Sequence, residues 1–333
     1  MNGFFHLFSC CIPVKGFKKA VICDLQRNII QPIPLSLYNI LVGNGSADVA
    51  SIEEIAHKYG EKDKQLIQEY ITFLYHNQFG YTTEKPLSAI RIDLENYKES
   101  RCITNAIVDF DQKSQHRLDQ IVPQLNELLC GALEIRYYYQ VPYEVLVKYL
   151  ESIRNSTLRS VELLVEFSDE YVVDHILKIN RLYPIVKKFT ISNAHEDTVY
   201  NHDDLSIIYT TEKIIDERCC GVTNEFYCIA ETKLFIESVH FNSCLNKKIS
   251  VDKSGLIKNC PSMKDSFGHI STTKLKEALE NDAFRKVWKI NKDQIEVCSD
   301  CELRYVCQDC RAYIEDKKNI FSKPIKCNYD PYH

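Results

Sequence analysis

No run in this chain is apolar for long enough to cross a bilayer as a helix, so an integral helical membrane protein is not expected. Charge of either sign is not in excess. Forty-one lysines and arginines stand against 46 aspartates and glutamates, a formal net charge of -5. Nothing in that balance calls for nucleic acid or a membrane surface as a partner. No Walker or Rossmann glycine loop occurs, which removes the common phosphate cradles, and no ATP-grasp signature is visible. Ser156 and Thr157 have no evident His–Asp partners for nucleophilic chemistry. One tryptophan and two methionines against 20 tyrosines is unusual, and it carries no functional reading. The opening Met1-Asn-Gly-Phe-Phe-His lacks a charged n-region, and Cys10-Cys11 runs into Ile12-Pro13 rather than a small-residue cleavage site. The expectation is a cytoplasmic protein in a reducing setting.

Cysteine, by contrast, is plentiful: 15 in 333 residues. Seven of them fall in the last third at fixed short spacings. Cys244-x10-Gly255-x4-Cys260 comes first, then Cys298-x2-Cys301-x5-Cys307-x2-Cys310, then Cys327. A chain of this length buries a core without disulfide staples, and cytosolic cysteines at such spacings read as metal ligands. Thiolates select zinc or iron–sulfur clusters. Seven suits two clusters, one on four thiolates and one on three with an open iron. Zinc is the alternative, with Cys298, Cys301, Cys307 and Cys310 as one tetrahedral site, although the five-residue spacer is short for a zinc ribbon. The other eight (Cys10, Cys11, Cys23, Cys102, Cys130, Cys219, Cys220, Cys228) are scattered and read as small buried hydrophobes. Cys219-Cys220-Gly221 stands apart because the pair precedes a flexible glycine.

Along the chain, Phe4–Phe8, Phe17–Cys23 and Asn28–Ile30 read as short strands punctuated by Pro13, Gly16 and Pro32-Ile33-Pro34. Helices are expected at Leu35–Val42, after the capping box Ser51-Ile-Glu-Glu54 up to Tyr59-Gly60, and from Asp63 to near Gly80, with Tyr81-Thr82-Thr83 as a return strand. This is a winged-helix plan. Its longest helix carries Glu61, Lys62, Asp63, Lys64 and Glu69, which is no DNA-reading face. From about residue 100, strands at 102–109, 133–139, 161–167, 185–192 and 205–211 alternate with helices at 117–129, 143–153 and 169–182. That alternation argues a parallel α/β sheet, closed or half-closed as a barrel. A hairpin at 248–258 and one amphipathic helix at 273–290 complete the chain. The expected organisation is a winged-helix-like domain at 1–84, a partial βα barrel at 100–234 and a cysteine-rich domain at 235–333.

The cysteine spacing resembles the SPASM module, which carries two auxiliary [4Fe–4S] clusters in many peptide-modifying radical enzymes. The central run of that module ends in x3, whereas Gln308-Asp309 gives x2 here. The phrases Asn242-Ser-Cys244-Leu-Asn-Lys-Lys, Lys258-Asn-Cys260-Pro-Ser-Met263, Cys301-Glu-Leu-Arg-Tyr-Val-Cys307-Gln-Asp-Cys310-Arg-Ala-Tyr313 and Lys323-Pro-Ile-Lys-Cys327 resemble the SPASM peptide maturases of the grasp-with-spasm systems. Those systems make ribosomally synthesised, post-translationally modified peptides. The resemblance implies a cytoplasmic iron–sulfur protein working with a precursor peptide and an ATP-grasp ligase. It implies that Cys298, Cys301, Cys307 and Cys327 hold one [4Fe–4S] cluster completely. Cys244, Cys260 and Cys310 would hold the other, with its fourth ligand open, and Gly255 would turn the hairpin between Cys244 and Cys260. Residues 1–84 resemble the PqqD-like recognition element, in which a leader peptide adds as a strand beside the third strand and packs on the third helix.

The cofactor features of a radical-SAM barrel are missing. Its Cys-x3-Cys-x2-Cys motif occurs nowhere, and the loop expected to hold it reads Asp109-Phe-Asp-Gln-Lys-Ser-Gln-His116. Where the family has Gly-Gly-Glu, this chain has Tyr137-Tyr-Tyr-Gln-Val-Pro-Tyr143. The barrel is thus read as degenerate and unable to cleave S-adenosylmethionine. Asp109, Asp111 and His116 lie where barrel enzymes place chemistry, but loop polarity and a helix cap explain them. Glu134 and Arg136 share one face of a strand, where an ion pair inside the barrel is expected. No catalytic residue is assigned. Two other functional classes remain open: a redox enzyme modifying a peptide side chain at the open iron, and a zinc-stabilised interaction protein.

Overall fold

The computed structural model describes residues 4–42, 63–85, 92–223 and 227–333. The expected capping box at Ser51–Glu54 and its helix lie outside them. Three sheets organise the described residues. In the first 33 residues four strands form rather than three: β1 (Phe4–Leu7), β2 (Cys11–Lys15), β3 (Ala20–Asp24) and β4 (Ile29–Ile33). Pro13, expected to interrupt, lies inside β2. It is tolerated there because β2 is an edge strand, where a missing N–H need not break a ladder. β2, β3 and β4 make an antiparallel sheet with β3 in the centre.

Helix α1 (Leu35–Val42) follows as expected. Helix α2 (Lys64–His76) stops short of the expected end near Gly80. Asp63 makes no side-chain cap, since its own backbone (φ -96°, ψ -1°) is already helical. The return strand β5 (Gly80–Thr83) pairs antiparallel with β1. Ala20 and Ile22 from β3, Leu37 and Ile40 from α1, and Ile67, Ile71 and Leu74 from α2 bury one another in a single core. The opposite face of β2–β4, with Val14, Val21 and Cys23, packs instead on Phe235 and Val306 of the cysteine-rich segment.

The main sheet has eight strands. Its parallel part consists of β6 (Asn105–Phe110), β7 (Ala132–Tyr137), β8 (Ser160–Glu166), β9 (Val186–Ser192), β11 (Leu205–Tyr209) and β12 (Lys248–Val251). Near-continuous apolar runs such as Ala106-Ile-Val108 and Leu163-Leu-Val165 suit strands buried on both faces. Helices α3 (Leu118–Glu127), α4 (Tyr143–Glu151) and α5 (Val173–Leu182) form the crossovers, at nearly the expected places. An unexpected strand, β10 (Thr198–His202), forms an antiparallel hairpin with β11 at one edge. At the other edge β13 (Ile257–Lys258) pairs antiparallel with β12. The two edges do not join, so the sheet is open, and the cysteine-rich segment contributes its last two strands.

Helix α6 (Thr232–His240) leads into that segment. The single helix expected over 273–290 is broken into α7 (Leu275–Glu280) and α8 (Asp282–Lys286), followed by a 3-10 turn. Asn281 causes the break. Its backbone is extended, and its side chain accepts from the Ala283 N–H at 2.9 Å, capping a new helix rather than continuing the old one. None of the helices among the described residues is long and apolar enough to cross a membrane.

Candidate metal centre

Cys298, Cys301, Cys307 and Cys327 line one narrow pocket of about 30 Å³. Cys327 comes twenty residues after Cys307 in the chain, and spacing alone does not bring it to the other three. A turn at Cys298–Asp300 presents the first thiol, and Val297 before it sits at φ 65°. A β-branched residue is strained in that left-handed region, and such strain is held only where the surroundings fix it. Cys228, read from the sequence as a buried hydrophobe, lines the same pocket while also packing in the apolar cluster around Phe235.

A buried lysine faces these thiols. Lys292 is 5% exposed and donates to Cys307 Sγ at 3.3 Å and to the Gln308 carbonyl at 3.2 Å. Burial pulls its pKa down, but the thiols, Cys307 first, outweigh this and hold it above the ordinary value. The Cys307 thiol is pushed down to about 6, by the Cys228 hydrogen bond first and by Lys292 next. Burial raises Cys298 to about 11 and Cys301 to about 12.

Cys244 and Cys260 flank the β12–β13 hairpin. Gly255 turns it at φ +83°, as expected, and a Cβ there would meet the His269 ring at 2.6 Å. A second, half-buried lysine belongs to this group. Lys248, the first residue of β12, donates to Cys244 Sγ at 3.3 Å. Burial opposes its charge, but Cys244, Cys260 and Cys220 together raise its pKa. Cys310 is buried, and burial raises its thiol above the ordinary value. Neither lysine stands out in the sequence, because a lysine among charged neighbours reads as surface. Lys248 on a strand beside a ligand cysteine was the available signal.

The link between the groups is Asp309, one of the two residues in the shortened x2 spacer. Arg311 donates to both its carboxylate oxygens, at 2.6 and 2.7 Å, with both side chains fully buried. Asn242 donates to Asp309 at 2.5 Å and to the Ile290 carbonyl at 3.0 Å. The Asp309 N–H donates to Ser243, whose hydroxyl donates to the Cys307 carbonyl at 3.2 Å. This network fastens the 307–311 strap beside Cys244. Cys244, Cys260 and Cys298 also share one apolar cluster, so the groups lie back to back.

The spacing of the sulfurs bears on the metal. Zinc–thiolate bonds of about 2.3 Å bring four sulfurs to roughly 4 Å of one another. Among the described residues, only Cys10, Cys11 and Asp24 bring three ligand atoms within 4.8 Å of each other. The seven motif cysteines are therefore spread more widely than one ion requires. The Cys10/Cys11/Asp24 trio has a different explanation. Asp24 closes a turn, accepting from the N–H groups of Gln26 and Arg27 and from Arg27 Nε, and burial raises the Cys11 thiol.

The remaining sheet residues pair among themselves. Arg136 pairs not with Glu134 but with Asp109 across the β6–β7 ladder, at 2.7 and 2.8 Å. Tyr138 donates to the same carboxylate at 2.9 Å, and burial pushes Asp109 up to about 6 against the pull of Arg136. His116 donates to the Asp109 carbonyl at 2.9 Å and stacks on Phe110. Asp111 does not cap a helix; it accepts from the Lys113 N–H in a loop turn, and α3 starts after Arg117. A cleft of about 460 Å³ beside Phe110, His116, Tyr139 and Tyr149 contains no cysteine. No family model and no curated protein matches this chain.

Proposed function

We propose that this chain is an iron–sulfur maturation protein for a ribosomally synthesised peptide, of the SPASM type found in grasp-with-spasm systems. The observation that carries the proposal is the gathering of Cys298, Cys301, Cys307 and Cys327 on one pocket with a buried ammonium beside them. Those four would hold one [4Fe–4S] cluster, and Cys244, Cys260 and Cys310 the second. Clusters of this kind, when bound, exchange single electrons. The chain's own contribution is electrostatic and positional. Lys292 and Lys248 offset thiolate charge, and the Asp309–Arg311 pair holds the strap that feeds both groups.

Residues 1–84 are the leader-binding element in this reading, a winged-helix arrangement of β1–β5 with α1 and α2. β4 is an edge strand, paired only with β3 among the described residues, and the half-exposed Ile29 and Ile30 lie along it. An extended peptide would add there by backbone hydrogen bonds. The sheet of 100–234 is a degenerate radical-SAM barrel, and the Asp109–Arg136–Tyr138 cluster closes the strand ends where a cofactor cluster would need thiolates. An ATP-grasp ligase is the partner that supplies bond formation.

Turnover of the precursor peptide tests this function. Its mass should change only when the ligase and ATP are present. With strong reductant and S-adenosylmethionine, 5′-deoxyadenosine should stay at the level of a protein-free control. Multiple turnovers by the chain alone would contradict the proposal.

A further inference from the structure

The three-cysteine group has a fourth thiol within reach, on a segment far from the motif. Residues 216–223 run between the main sheet and the cysteine-rich segment. Their course is fixed by hydrogen bonds. Lys326 Nζ donates to the Arg218 carbonyl at 2.8 Å and to the Cys220 carbonyl at 2.6 Å. Ser262, two residues after Cys260, donates to the Glu217 carbonyl at 3.2 Å. Thr223 bridges to Cys327. Gly221 sits at φ +87°, and a Cβ on it would meet Cys310 Sγ at 3.1 Å and the Tyr313 ring at 2.6 Å. Only glycine lets the backbone at 220–221 come that close to Cys310 without strain.

The Cys220–Gly221 backbone is therefore held against Cys310, and Ser262 ties the same segment to the turn after Cys260. Lys248 donates to Cys244 Sγ at 3.3 Å, and against the cost of burial its charge is favoured by Cys244 first, then Cys260 and Cys220. Three motif thiols, the Cys220 segment and the Lys248 ammonium thus gather in one region.

We propose that Cys220 is the fourth thiolate of the Cys244/Cys260/Cys310 site. This rests on the iron–sulfur reading above and changes its consequence. The Cys220 thiol gives its proton to solvent as its sulfur binds iron, and no iron of that cluster is left open to water or substrate. A closed cluster serves electron transfer or structure, not direct attack on a peptide side chain.

The test uses the full chain, reconstituted anaerobically, with the wild type compared with Cys220→Ala, Cys220→Ser and Cys219→Ala. Cyanide is the probe for an open iron, read as a change in the electron paramagnetic resonance spectrum of the reduced protein. The wild type and Cys219→Ala should be insensitive to it, and the Cys220 variants should acquire a cyanide-sensitive signal. A wild type already sensitive to cyanide and indistinguishable from Cys220→Ala would overturn the proposal. Alkylation by iodoacetamide, mapped by mass spectrometry on unmutated protein, is independent of whether a variant folds. Cys220 should be labelled in the metal-free chain and protected at least tenfold after reconstitution, and equal labelling in both states would again overturn it. A chain that takes up zinc without sulfide would sink the iron–sulfur reading instead. The labelling ratio at Cys220 in that zinc form would still decide whether this residue is a ligand.

Discussion

Lys292 and Lys248 each place an ammonium 3.3 Å from a cysteine sulfur. Four thiolates on one cluster crowd negative charge into a poorly solvated space, and a buried lysine is costly unless such charge surrounds it. Each group therefore explains the other's burial. The Asp309–Arg311 pair is the second residue-scale device. Arg311→Met should leave Asp309 buried without its main partner, a loss of about 3–5 kcal/mol in chemical denaturation. Adding Asp309→Leu should recover part of that loss, because the second change removes the unpaired charge. Equal stability of the wild type and Arg311→Met would mean that the network does not hold the strap. None of these partners was legible in the sequence, since Arg311 and Asp309 read as ordinary loop charges next to a cysteine.

At the scale of elements, the parallel strands were legible because strands buried on both faces are apolar throughout, and the helices between them are amphipathic. What was missed follows from rules that depend on neighbours. Pro13 reads as a breaker until its strand proves to lie at an edge, and β10 is mostly exposed and polar. The break at Asn281 was invisible to apolar periodicity, which runs through it unchanged. Gly255 was legible, because a glycine between two short β runs signals a turn. The edge of β4 carries the element-scale prediction. A leader peptide should bind the full chain, and a proline in its docking segment should weaken binding at least tenfold by titration calorimetry, since proline donates nothing to a ladder. An unchanged affinity would exclude strand addition. The full chain is needed here, because Val14, Val21 and Cys23 lose their cover of Phe235 and Val306 in a fragment of residues 1–84.

For the whole molecule, the three segments are joined through the cysteine-rich part. Its strand β12 extends the main sheet beside β6, and its Phe235 and Val306 seat the N-terminal sheet. The Phe17 N–H donates to the Asp300 carbonyl at 2.8 Å, within the turn that starts at Cys298. Metal loss should therefore be felt across the chain, because ligation supplies folding energy. Counting iron and acid-labile sulfide after anaerobic reconstitution tests the central claim most directly. The account predicts about eight of each per chain, four of each per cluster, falling by about half in Cys301→Ala and staying at the wild-type level in Cys130→Ala. Stoichiometric zinc with no sulfide would contradict it.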